Sequence, residues 1–273
     1  MSESDTRGEA PLADFVPMLD GRTRLLVRRG WEDAAEHLAD PDSVSVDEEL
    51  PGGREPHVVT TLPGGARVVV RRYRRGGVMR WVNRTHYFGG NRAFDELRAT
   101  ERARAGGVRV PVVVAAIERP GRVAGYRAWL ATVFLPGARD LGAWLAAAGA
   151  DEGRRAVLAE AGRQVGLMHA AGVAHPDVNL RNLLVAGDDE VYVIDFDKAH
   201  ATADAVPRGR RERDLRRLAR SARKLQASLA PADWAAFRDG YGDGWPPGLD
   251  LSKVPKDEAK AEGSAKSAED AEE

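Results

Sequence analysis

The sequence predicts an α+β fold in two lobes, a small antiparallel sheet followed by a mainly helical half. Two observations carry that expectation. Residues 44 to 72 and 110 to 135 are short β-rich runs broken by Gly and Pro turns, with one long helical segment between them. Beyond Pro136-Gly137 the apolar residues recur at helical spacing instead.

Taken in order, Gly30 to Leu38 reads as a short helix ahead of the main fold, within an extension (1–40) of unassigned structure. Three strands follow over 44–72. Their turns are Pro51-Gly52-Gly53-Arg54 and Leu62-Pro63-Gly64-Gly65-Ala66, and the third strand is the β-branched Val68-Val69-Val70-Arg71-Arg72-Tyr73. Arg92 to Ala105 has helical spacing and stops at Gly106-Gly107. Val110 to Ile117 and Tyr126 to Leu135 read as strands, completing a first lobe over 41–135. In the second lobe, 136–252, Asp140 is placed to cap a helix over Leu141 to Ala148, and Asp151 a longer one ending near Ala171-Gly172. Val157, Leu158, Ala161, Val165 and Met168 form the core face of that longer helix. Leu183-Leu184-Val185 and Val191-Tyr192-Val193-Ile194 read as a hairpin turned at Ala186 to Asp189. Arg211 to Leu229 is an Arg-rich amphipathic helix with Leu215, Leu218, Ala222 and Leu225 inward. Residues 253–273 carry four Lys and seven acids without an aromatic residue, a composition that predicts a disordered tail.

At 273 residues the chain suffices for one large or two small domains. It has no cysteine, which excludes disulfides and thiolate metal sites. Neither an apolar signal segment nor a membrane-length apolar run is present. Net charge is −1, yet no acid occurs between Glu55 and Asp95, where eight arginines fall: 67, 71, 72, 74, 75, 80, 84 and 92. Such a block suits a polyanion or an anionic membrane surface. Arginine-rich coding explains part of it, since the chain has 35 Arg and 6 Lys, but not the missing acids.

The segment His175-Pro176-Asp177-Val178-Asn179-Leu180-Arg181-Asn182, followed by Ile194-Asp195-Phe196-Asp197, is the chemically informative one. A carboxylate at Asp177 suits orientation of an acceptor hydroxyl and uptake of its proton. Asn182 and Asp195 offer the oxygen ligands that Mg²⁺ takes beside phosphates, and the hairpin between them returns one to the other. Each residue alone reads as a turn former. Together, separated by apolar strands, they point to phosphoryl transfer from ATP.

Several motifs extend this in a fixed order: Arg71-Arg72-Tyr73-Arg74-Arg75-Gly76-Gly77, Asn91-Arg92-Ala93-Phe94-Asp95-Glu96, Gly107-Val108-Arg109-Val110-Pro111, Leu135-Pro136-Gly137-Ala138, His169-Ala170-Ala171-Gly172-Val173, and Ile194-Asp195-Phe196-Asp197-Lys198. Over about residues 44 to 226 the chain resembles the two-lobed protein-kinase-like fold. More narrowly, it resembles the bacterial 3-deoxy-D-manno-octulosonic acid (Kdo) kinases of the lipopolysaccharide core kinase family. The resemblance implies Asp177 as catalytic base and Asn182 and Asp195 as Mg²⁺ ligands. It implies Arg71 at the position of the phosphate-binding lysine, Glu96 as its helix-borne partner, and Gly52 and Gly53 in the phosphate-covering loop. It further implies ATP-dependent phosphorylation of the 4-hydroxyl of Kdo on a lipid A precursor, peripherally at the cytoplasmic face of the bacterial inner membrane. Two departures stand out. No lysine precedes Lys198, and Gly52-Gly53-Arg54-Glu55-Pro56 lacks G-x-G-x-x-G spacing. Alternatives are a kinase for heptose, a small molecule or a protein, and a non-catalytic pseudokinase module.

Around the site, Asp197 reads as a turn carboxylate rather than an auxiliary ligand. His175 reads as a structural brace, and the six-residue spacing to His169 argues against zinc. Glu96 is preferred over Glu101 as the Arg71 partner. Trp81, Tyr87 and Phe88 suit either an aromatic cluster packed on the sheet or a sugar- or membrane-facing surface. No nucleic-acid motif accompanies them, so no nucleic acid is expected as a partner.

Overall fold

Seven antiparallel strands form one sheet in the computed structural model, which describes residues 12–40, 43–50, 57–73, 92–121, 126–148, 152–225, 227 and 229–254. The strands are β1 (Phe15–Asp20), β2 (Thr23–Arg28), β3 (Glu48–Leu50), β4 (His57–Thr61), β5 (Arg67–Arg72), β6 (Val113–Pro120) and β7 (Tyr126–Val133). Their spatial order is β1-β2-β6-β7-β5-β4-β3. Residues 12 to 40 supply the β1–β2 hairpin, not expected from the sequence, and the helix α1 (Ala34–Ala39), which falls within and just beyond the expected Gly30 to Leu38 segment. β2 pairs with β6, so this segment is part of the sheet.

Strand alternation sends successive side chains to opposite faces. Leu25, Val27, Val68, Val70, Ile117 and Trp129 go to one side and pack with Ala34, Ala35 and Leu38 of α1. Ala116, Ala128 and Leu130 go to the other and meet Ala93, Phe94 and Leu97 of α2 (Arg92–Ala105). The sheet is thus covered on both faces. β6 begins at Val113 rather than Val110. Pro111 has no N–H to give a ladder, and the preceding Arg109 N–H goes instead to Gln164 Oε1 at 2.7 Å.

The second lobe holds β8 (Arg139–Asp140), α3 (Leu141–Ala147), α4 (Glu152–Ala170), β9 (Val173–Ala174), β10 (Leu183–Ala186), β11 (Glu190–Val193), β12 (His200–Ala201), α5 (Arg208–Lys224) and α6 (Pro231–Tyr241). Asp140 caps α3, its Oδ1 accepting from Ala143 N at 2.9 Å. α5 starts three residues earlier than the amphipathic pattern suggested, directly after Pro207. Leu251–Lys253 forms a 3-10 turn capped by Asp250, and Val254 is buried, so ordered packing runs two residues into the segment assigned to the tail. The rest of that tail lies outside the described residues, as do Gly52, Gly53, Asp151, Arg74, Arg75, Arg80, Arg84, Trp81, Tyr87 and Phe88.

α4 and α6 pack backbone to backbone. A Cβ at Gly162 would collide with the Phe237 carbonyl, and one at Gly240 with the Ala159 carbonyl. Backbone atoms cannot swing aside as a side-chain tip can. Gly240→Ala is therefore expected to cost about 1–3 kcal/mol and lower the thermal midpoint by several degrees. Gly209→Ala, at an exposed helical position with open space around it, should leave the midpoint unchanged or slightly raised. Equal midpoints for the two variants in calorimetry would refute the close-packing account.

Candidate active site

β5 brings the first site residue. Val68 and Val70 face α1, so Arg71 and Tyr73, of opposite parity, face α2. There the Arg71 guanidinium donates to Glu96 and to Asp195, and the Tyr73 hydroxyl donates to the same Glu96 oxygen that Arg71 holds. Glu96 is 3% exposed. Glu101 is spoken for elsewhere, by Arg28 and by Arg104 at 2.7 Å. A guanidinium has the forked donor geometry to bridge two carboxylates, which a lysine ammonium lacks.

Asp177 and Asn182 lie on the loop after β9, and the β10–β11 hairpin returns the chain to that loop. The Ile194 N–H donates to the Asn182 carbonyl at 3.0 Å, closing the return. Asp195 follows in the left-handed region, φ 65° and ψ 57°. This unusual backbone aims its carboxylate at Arg71, across the gap between lobes. The loop is pinned from within. Asn179 Nδ2 and Asn182 Nδ2 both donate to the Asp177 carbonyl, at 2.6 and 3.0 Å. The amide oxygen of Asn182 is thereby left as its remaining polar atom.

Asp214, on the inward face of α5, accepts from the His175 backbone N–H at 2.9 Å and lies 3.2 Å from His169 Nε2. His169 Nδ1 in turn meets the Tyr241 hydroxyl at 2.7 Å. His175 is fully buried and its Nε2 lies 3.1 Å from the Ile194 carbonyl, which can only accept, so Nε2 carries the proton. Burial holds its pKa below the ordinary value, so the ring is a neutral brace between loop and hairpin. Asp197 forms an ion pair with Arg92 at the start of α2, and so links the turn after Asp195 to the helix that bears Glu96.

Charge at the Arg71 cluster is set by burial. Desolvation pushes Glu96 up to about 7 despite the adjacent guanidinium. For Asp195 burial also acts upward, but Arg71 outweighs it and the net shift is downward. Glu118, fully buried and held by Arg24 at 2.8 Å, is likewise raised to about 7 by desolvation.

These two raised carboxyls give a signed prediction. Between about 4.5 and about 7 the folded protein keeps protons that the unfolded chain has released, so their contribution to stability falls as pH rises through that window. His57 and His175, lowered chiefly by burial, act oppositely up to their ordinary 6.5. Urea unfolding of Glu118→Gln beside the wild type isolates the Glu118 part. The variant should gain relative stability as pH goes from 5 to 7.5, and a constant difference would contradict the assignment.

The sequence comparisons bear directly on this arrangement. The model of the "Lipopolysaccharide kinase (Kdo/WaaP) family" matches residues 53–241, well over half of the chain and all of the site just described. The chain belongs to this family. Among its curated relatives, the 3-deoxy-D-manno-octulosonic acid kinase of Vibrio vulnificus (strain YJ016) is 29% identical over 238 residues, covering 81% of this chain and 95% of the relative. The enzyme of the same name from Stenotrophomonas maltophilia (strain K279a) is 32% identical over 203 residues, covering 71% and 78%. A solved structure described as WaaP in complex with acyl carrier protein superposes with a TM-score of 0.52 at 25% identity, over 90% of this chain and 94% of that one. The fold is accordingly kinase-like, and the chain is a phosphotransferase of the lipopolysaccharide kinase family.

Sequence reasoning missed Asp214 and Arg217, and gave no role to Tyr73 and Lys198 although both stand in the motifs it singled out. Asp214 carried a signal, an acid beside Leu215 and Leu218 on the apolar face of an otherwise basic helix. Lys198 closes the Ile194 to Lys198 motif, whereas Arg217 carried no signal, and the pairing of both with Asp177 depends on separate segments meeting there.

Proposed function

We propose that this family member transfers the γ-phosphoryl group of ATP to a hydroxyl of Kdo on a lipid A precursor, the 4-hydroxyl by resemblance, during lipopolysaccharide core assembly. The observation that carries the proposal is that the β10–β11 hairpin returns Asp195 beside the Asp177–Asn182 loop, with Arg71 of β5, held by Glu96 of α2, meeting Asp195. The relatives' name supplies the acceptor class.

In this reading Asp177 orients the acceptor hydroxyl and takes its proton. The acceptor oxygen forms its bond to the γ-phosphorus as the bond to the β-phosphate bridging oxygen breaks, and ADP leaves. Arg71, aligned by Glu96, binds phosphate oxygens through its fork. Asn182 and Asp195 would hold Mg²⁺. The donor set fits, since both offer oxygens and Mg²⁺ at a nucleotide needs only one or two protein ligands beside the phosphates. Among the described residues no group of three or more His, Cys, Asp or Glu is gathered for a metal held by protein alone. Bound there, Mg²⁺ would neutralise phosphate charge. Gly52 and Gly53 would cover the nucleotide.

Among the described residues no helix is long and apolar enough to cross a membrane. Peripheral attachment to the anionic inner leaflet through the arginine block is part of the same proposal. Cosedimentation with liposomes should then rise with anionic lipid and fall with salt, and indifference to both would remove that part. The deciding experiment is phosphate transfer from labelled ATP to purified Kdo-lipid IVA. Transfer is the expected result. A folded, ATP-binding protein that leaves this acceptor unlabelled would overturn the acceptor assignment.

A further inference from the structure

Both oxygens of the Asp177 carboxylate are taken, each by a different cation. Lys198 Nζ lies 2.6 Å from Oδ2, and the Arg217 guanidinium donates to Oδ1. The two come from separate elements. Lys198 ends the 3-10 turn after Asp195, and Arg217 lies in the middle of α5. Their side chains are 62% and 47% exposed, whereas Asp177 is 22% exposed. Neither cation is needed to hold the loop, which its own asparagines and Asp214 already brace. Each oxygen keeps a further lone pair, so the two cations crowd the approach of an incoming hydroxyl to the carboxylate without closing it.

The cations continue beyond Asp177. α5 carries nine basic residues against two acids. Arg210, Arg213, Arg217 and Lys224 follow at helical spacing on one exposed face. The side chains of Arg210 and Arg213 have no ion-pair or hydrogen-bond partner among the described residues. The basic stripe thus runs past the candidate base along α5, with Arg217 at Asp177 and the other cations on either side.

We infer that Lys198 and Arg217 form a clamp for an anionic group of the acceptor, a carboxylate or a phosphate, and that the acceptor's own charge uncovers Asp177. The inference rests on the phosphoryl-transfer role proposed for Asp177. An arriving acceptor anion takes over the cations, which exchange one oxyanion partner for another, and the freed carboxylate receives the hydroxyl. The cations also screen the repulsion between Asp177 and a negatively charged acceptor. Arg213 extends the clamp one turn along α5. A neutral sugar would not draw the cations away from Asp177, so the clamp favours acidic acceptors.

Equilibrium binding of Kdo-lipid IVA in neutral-detergent micelles tests this without turnover, using wild type, Lys198→Ala and Arg217→Gln. Both substitutions are at the surface, and an unchanged thermal midpoint checks that each variant is folded. The dissociation constant for the acceptor should rise about tenfold in each variant, as loss of a charge-assisted contact predicts, with ATP affinity unchanged. Repeating the titration with acceptor methyl-esterified at the Kdo carboxyl, and with dephosphorylated acceptor, identifies the clamped group, because its neutralisation abolishes the difference between wild type and variant. Unchanged acceptor binding in both variants overturns the clamp. So does a loss that persists when both groups are neutralised, or an equal loss on phosphatidylglycerol micelles, which would make the stripe a bilayer contact. Failure of wild-type protein to bind the acceptor overturns it as well. Binding that depends on Lys198 without phosphorylation would leave the clamp standing and remove the acceptor-hydroxyl reading. Phosphorylation with unaltered variants would do the reverse.

Discussion

Asp177→Ala is expected to lower kcat for phosphate transfer by about 10²–10⁴-fold, the range over which a positioned general base acts, while ATP affinity stays near that of the wild type. The split follows from the geometry. Asp177 is bonded to Lys198 and Arg217 and to no residue of the Arg71 cluster, so its removal leaves the candidate phosphate contacts intact. Its backbone carbonyl, which receives Asn179 and Asn182, survives truncation of the side chain, so the loop should keep its shape. Asp195→Ala provides the contrast, because it should lose Mg²⁺-dependent nucleotide binding too. Single-turnover rates beside ATP titrations separate the two. A near-normal rate for Asp177→Ala on an acceptor that the wild type phosphorylates would show that the base lies elsewhere.

What the sequence revealed and what it hid divide along a physical line. The 92–105 helix, the β10–β11 hairpin and the Asp140 cap were legible because each is specified by local periodicity, turn residues or a cap. Residues 15 to 28 were not. Phe15–Asp20 and Thr23–Arg28 alternate only weakly, and their place is decided by pairing with β6, some ninety residues later. At the candidate site, Asn182 and Asp195 were visible because a short hairpin joins them, and Asp177 because it lies five residues ahead on the same loop. The pairing of the two cations with Asp177 was invisible. Arg217 is one of eight arginines in its helix, and only the tertiary fold distinguishes it from the others. Glycine packing between α4 and α6 was equally hidden, since Gly162 and Gly240 read as weak helix formers until the opposing backbones are placed.

The pairing of Arg71 with Glu96 yields the second large effect. Arg71→Ala should remove the proposed phosphate-binding cation and lower kcat/KM for ATP by about 10²–10³-fold, as loss of one preorganised electrostatic contact does. It should also destabilise the fold by about 1–3 kcal/mol, because the buried Glu96 carboxyl loses a hydrogen-bond partner and stays protonated in its place. Arg71→Lys should restore part of the stability and less of the activity, since one ammonium cannot bridge Glu96 and Asp195 as the fork does. The two losses can be separated by adding Glu96→Gln to Arg71→Ala. The amide needs no cation, so stability should return in the double variant while ATP use stays impaired. If Glu96 acts only by aligning Arg71, Glu96→Gln should lower activity in the wild-type background and leave it unchanged in the Arg71→Ala background. Equal costs in both backgrounds would mean that Glu96 serves the nucleotide independently of Arg71, and the alignment role would have to be given up.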